Sequence, residues 1–164
     1  MGLEIAFWIM AIVMVAAALA VIFLRNVFRA ALALVLCFIA VAGIYVTLSA
    51  DFLAAVQILV YVGAISVLII LGVMMTREVQ NGNPVNKMEL PAAIVATLLL
   101  GILVYVVTST PWSISALDPL TPTTMPLATK LFSENGFILP VEIGAVLLLA
   151  AILGAIVITR EDKK

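Results

Sequence analysis

Five apolar runs, each about as long as a helix must be to cross a bilayer, dominate this sequence. They cover residues 5–24, 27–48, 52–75, 87–108 and 137–159. Inside a hydrocarbon core every backbone N–H and C=O must find its partner within the protein. A span is therefore a helix, or one strand of a closed barrel. Barrel strands are short and alternate apolar with polar residues, whereas these runs are long and uniformly apolar. The fold class that follows is an all-α integral membrane protein of five transmembrane helices, forming a single membrane domain over residues 1–164. Composition points the same way: 66% of the 164 residues are apolar and 10% are charged. A soluble domain is about half apolar and about a quarter charged, and a chain this short cannot hide the excess in a water-soluble core.

The first run is expected to be a retained span and not a cleaved leader. Glu4 precedes it where a leader carries Lys or Arg, and it is longer than the apolar stretch of about 7–15 residues that leaders use. Arg25-Asn26 ends this run, Ser49-Ala50-Asp51 makes a very short turn, and Thr76-Arg77-Glu78 ends the third run. Asn81-Gly82-Asn83-Pro84 is turn chemistry. Asn86, three residues before Glu89, resembles a capping box, with Pro91 in the first turn after it. Residues 109–136, punctuated by Pro111, Pro119, Pro122 and Pro126, predict one long extramembrane Pro-rich loop. Pro140 falls in the first turn of the fifth span.

The basic residues orient the chain. The first loop, the third loop and the tail carry Arg25, Arg29, Arg77, Lys87, Arg160, Lys163 and Lys164, while the other side holds only Lys130. By the positive-inside rule the N-terminus faces out and the C-terminus is cytoplasmic. The net charge of −1 gives no reason to expect nucleic acid.

Ionisable residues at mid-depth are where membrane proteins do chemistry, and the central thirds of all five runs lack Asp, Glu, Lys, Arg and His. That argues against a pump or transporter acting alone. There is no histidine, and the one cysteine, Cys37, lies inside an apolar run, where it reads as a small buried hydrophobe. Haem and iron–sulfur ligation are not expected. Three carboxylates sit near the outer ends of spans: Glu4 before the first, Asp51 at the start of the third and Glu142 in the fifth. Asp51 fits a helix N-cap, with a proton path as the second reading. Glu142, about one turn into the fifth span, reads as an interfacial carboxylate favoured by the helix dipole, or as a proton-path or partner-contact group. The third run is the most polar, with Gln57, Tyr61, Gly63, Ser66 and Gly72. Gln57 and Tyr61 are four apart and share a helix face; such groups serve either as glue between helices or as a functional site. Gly63 permits close packing or a local deviation of the helix. Small residues recur as Ala16, Ala17, Ala18 and Ala20, as Ala40, Ala42 and Gly43, and as the Ala150–Gly154 pair. They let helices approach, within the chain or against other subunits.

The run Asp51-Phe52-Leu53-Ala54-Ala55-Val56-Gln57-Ile58-Leu59-Val60-Tyr61-Val62-Gly63-Ala64-Ile65 resembles the signature of subunit J of respiratory complex I, in the proton-pumping NADH:quinone oxidoreductase family. Leu139-Pro140-Val141-Glu142 and the helix ending Gly154-Ala155-Ile156-Val157-Ile158-Thr159-Arg160 are similar to that family too. The resemblance implies a π-bulge in the third helix around Tyr61-Val62-Gly63, interconverting with a regular helix and so opening or breaking a water path. It implies no redox cofactor on this chain, with quinone, FMN and iron–sulfur clusters in other subunits. Its implied partners are the quinone-site subunit, small three-span subunits, antiporter-like subunits and the lipid of a bacterial inner membrane or an equivalent energy-coupling membrane. Two other readings stand beside it: an accessory subunit of a multi-subunit cation/proton antiporter, and a free-standing small transporter or channel.

Overall fold

The computed structural model describes residues 2–76, 89–112, 122–133 and 136–160. Five helices in it are long and apolar enough to cross a membrane: α1 (Gly2–Phe23), α2 (Val27–Thr47), α3 (Asp51–Met75), α4 (Glu89–Ser109) and, after the short helix α5 (Thr124–Phe132), α6 (Ile138–Thr159). The described residues contain no strand.

The first three spans form one packed unit, α1 along α2 and α2 along α3. Its buried apolar residues are all alanines: Ala17, Ala31, Ala40, Ala42 and Ala54. Lipid tails are as apolar as leucine, so what draws helices together in a bilayer is close contact of small residues and not the burial of large ones. Gly43 marks a point of close approach, because a Cβ there would lie 2.8 Å from the Met10 sulfur. Cys37 is half-buried in the same seam, its thiol directed at the Met14 carbonyl 3.8 Å away.

The connections are tight, and their chemistry is local. Leu24 N–H closes α1 on the Ala20 carbonyl. Asn26 then starts α2 as an N-cap, its side-chain oxygen accepting from Arg29 N–H at 3.2 Å. At the other end of α2, Ser49 takes a left-handed φ of 58°. Ala50 N–H reaches the Tyr45 carbonyl at 2.9 Å and Ser49 N–H the Val46 carbonyl at 3.1 Å. This bond pair is a Schellman motif, with serine where glycine is usual. It turns the chain directly into α3.

Two expectations are corrected here. Asp51 is not the N-cap of α3: Ala50 holds that position and no side chain caps from it, while Asp51 is the first helical residue. The orphan N–H of Phe52 is met by Thr123 Oγ1 at 3.3 Å, a partner 71 residues away. Residues 109–136 are also not a continuous loop, since they contain α5. Pro126 is the third residue of that helix, where its missing N–H would have had no helical partner. The Asn86 capping box and the turn at 81–84 lie outside the described residues.

The fourth and fifth spans differ from the first three. The most apolar window of each is 0% buried, and among the described residues neither packs closely on another span; α6 touches α5. Ala150 and Gly154 are exposed, so this small-residue pair makes no close packing among the described residues.

Candidate functional site

The third span is not one continuous α-helix. Between α-helical turns at Asp51–Val56 and Ser66–Met75, residues Gln57–Ile65 are π-helical. A π-helix bonds each N–H to the carbonyl five residues back, so it carries more residues per turn than its neighbours and marks functional positions in many helices.

Four side chains define this stretch. At its exit, Ser66 is 2% exposed. Its N–H is directed at the Tyr61 carbonyl, and its hydroxyl donates to the same oxygen at 2.7 Å. At its entrance, Gln57 is buried and donates from Nε2 to the Phe38 carbonyl of α2 at 3.4 Å. The Tyr61 ring meets the Phe38 ring edge to face, with centroids 5.5 Å apart and planes at 70°. Phe38 thus receives both Gln57 and Tyr61. Gly63 lies on the exposed side, and a Cβ there would meet only the Ile58 carbonyl, at 3.5 Å, an ordinary contact. Val62 beside it is half-exposed.

The structure brings Gln57, Tyr61, Val62 and Gly63 together on one deformed segment and leaves the two carboxylates apart from it. Asp51 is exposed at the start of α3, and Glu142 is exposed on α6, which does not pack closely on α3 among the described residues. Residue-type reasoning missed Phe38, Thr123 and the role of Ser66. Only Ser66 left a usable signal, a small hydroxyl five residues after Tyr61 in an apolar run. Among the described residues no three His, Cys, Asp or Glu side chains are grouped to hold a metal ion.

Chemically, the segment offers rearrangeable backbone carbonyls and one phenol, and no carboxylate. Exchanging π for α bonding would move the Tyr61 carbonyl from Ser66 to the preceding N–H. At 3.6 residues per turn, taking up one residue rotates one half of the helix against the other by about 100°.

A family model described as NADH-ubiquinone/plastoquinone oxidoreductase chain 6 matches residues 17–158. The NAD(P)H-quinone oxidoreductase chain 6 of Leptolyngbya boryana is 37% identical over 161 residues, covering 96% of this chain and 80% of its own length. The protein of the same name from Synechocystis is 38% identical over 161 residues, with 96% and 81% covered. The F(420)H(2) dehydrogenase subunit J of Methanosarcina mazei is 36% identical over 159 residues, with 95% and 90% covered.

Proposed function

Because the chain belongs to the NADH-ubiquinone/plastoquinone oxidoreductase chain 6 family, and is therefore a membrane-arm subunit of a complex I-type quinone oxidoreductase, we propose that α3 is the moving part through which it helps couple quinone reduction to proton translocation. The observation that carries this reading is the π-helical run Gln57–Ile65 inside an otherwise α-helical span. One extra residue wound into a helix can be passed along or expelled with no strong bond broken, because each carbonyl exchanges one N–H for another. Two such forms of similar free energy make a switch that partners can bias.

The flanks of the segment suit that role. Its N-terminal side is pinned by the Schellman turn at Ser49 and by the Thr123 hydroxyl, and Gln57 ties its entrance to α2. At its exit the Tyr61 carbonyl is held by the Ser66 hydroxyl, and the Ser66–Met75 half that follows lies along α2 with no hydrogen bond to it of the Gln57 kind among the described residues. Rotation about the Tyr61–Gly63 region would therefore turn the Ser66–Met75 half against a fixed outer half. In the middle of the span, which holds no Asp, Glu, Lys, Arg or His, a carbonyl released by that motion is a site where water can bond, and with it a proton relay.

The chain supplies no redox centre in this reading. Quinone, FMN and iron–sulfur clusters belong to other subunits, and the quinone-site, small three-span and antiporter-like subunits cover α4 and α6. Relatives named for NAD(P)H and for F(420)H(2) match this chain about equally well, so the electron donor is chosen elsewhere. In this reading the N-terminus faces out, the orientation that the charge asymmetry favours. The antiporter-accessory reading has no support among these relatives, all named as oxidoreductase or dehydrogenase subunits.

The test is Gly63→Leu in the assembled complex. A branched side chain beside the Ile58 carbonyl fits the π form but hinders sliding of the extra residue. Coupled proton pumping is expected to fall while assembly stays largely intact. Unchanged pumping in an assembled variant would remove the hinge role.

A further inference from the structure

A groove of about 550 Å³ opens where α2 begins and α3 stops. Its walls are apolar, from Val27, Phe28, Ile69 and Val73, and the polar side chains on it are Asn26 and Thr76, the end residues of the two helices. The volume is in the range of small-ligand sites. The groove is also marked by charge. Arg25 and Arg29 flank the α2 lining residues and are exposed. An apolar slot running into a membrane from a basic rim complements a lipid with a negative headgroup, as basic pockets between spans do elsewhere.

We propose that this groove is a binding site for one anionic phospholipid, with an acyl chain between α2 and α3 and the phosphate at Arg25 and Arg29. The Asn26 oxygen is engaged by Arg29 N–H, which leaves its amide NH₂ to donate to a phosphate oxygen. The Thr76 hydroxyl donates to the Gly72 carbonyl, so its hydrogen is already used and it does not face the lipid as a donor. The acyl chain would lie against the Ser66–Met75 half of α3, the half that rotates in the reading above. The binding proposal itself does not depend on that rotation.

The experiment uses the intact complex. A photo-reactive amino acid replaces Val73, and the complex is irradiated in vesicles of phosphatidylcholine with a minor share of phosphatidylglycerol. The expected product is a Val73-position adduct with phosphatidylglycerol, far above its share of the vesicle lipid. A peptide adduct from another subunit would overturn the proposal, as would lipid adducts in proportion to the bulk. Two variants read the same site by lipid retained after purification. Arg25→Gln with Arg29→Gln removes both charges and is expected to weaken phosphatidylglycerol retention by about thirtyfold, each basic residue contributing roughly fivefold. Gly72→Leu projects into open space, since a Cβ at Gly72 meets nothing within 4 Å, and it should exclude the acyl chain with the arginines intact. Equal retention in the wild type and either variant would contradict the site.

Discussion

The Ser66 hydroxyl donates to the Tyr61 carbonyl at 2.7 Å, and the Ser66 N–H points at the same oxygen. In an α-helix this carbonyl would bond to the residue before Ser66. Two donors from one buried residue thus hold it in the π register, and in the proposed switch Ser66 is the residue that would select between the two forms.

Ser66→Ala removes one of the two donors and leaves the backbone bond. A hydrogen bond of this kind contributes about 1 kcal/mol net, so the balance shifts toward the regular helix by roughly fivefold. Proton uptake per quinone reduced should fall in the assembled complex, and Ser66→Thr, which keeps a hydroxyl, should recover part of it. Wild-type uptake in Ser66→Ala would show that the hydroxyl does not set the register.

The cap on α3 comes from a distance. Thr123→Val deletes the acceptor for Phe52 N–H, a loss of about 1 kcal/mol for a helix start. Amide exchange at Phe52 should quicken several-fold in Thr123→Val and stay near wild type in Thr123→Ser. Equal exchange in all three would mean that the extramembrane segment does not hold α3.

Ser49 is the residue with a positive φ among the described non-glycine residues. A side chain in the left-handed region is strained by about 1 kcal/mol, and glycine is free of that strain. Ser49→Gly should raise the temperature at which the detergent-solubilised complex loses quinone reductase activity, and Ser49→Val should lower it. The same temperature for both would contradict the Schellman turn.

Gln57→Leu tests the tie to α2. Hydrogen bonds between helices in a bilayer average about 0.6 kcal/mol, and the 3.4 Å contact with Phe38 is a long one. Assembly should survive with a modest loss of thermal resistance and little change in electron transfer. Abolished quinone reduction would assign Gln57 a chemical role that this geometry does not give it.

Much of the architecture was legible in the sequence, because twenty apolar residues in a row have one outcome in lipid. The span ends were set by residues that announce themselves, such as Asn26 before α2 and Pro140 in the first turn of α6. Three features were not legible. Asp51 has the residue type of a cap, but the capping oxygen belongs to Thr123, and no local pattern records a contact across 71 residues. Pro126 reads as a breaker, yet at the third position of α5 it breaks nothing. The π stretch uses the same apolar residues as an α-helix, since it differs only in which N–H meets which carbonyl. Its position was implied by the resemblance at Tyr61-Val62-Gly63, not by any propensity in the residues.

In the proposed role, the extra residue in Gln57–Ile65 is what couples this chain to proton movement. Deleting Val62 takes out one residue and lets α3 run as a regular helix, with both flanking halves keeping their faces. The measurement is the number of protons moved per quinone reduced by the purified complex in sealed vesicles. The expected result is an assembled complex that still reduces quinone and moves few or no protons. An assembled complex with the wild-type ratio would contradict it.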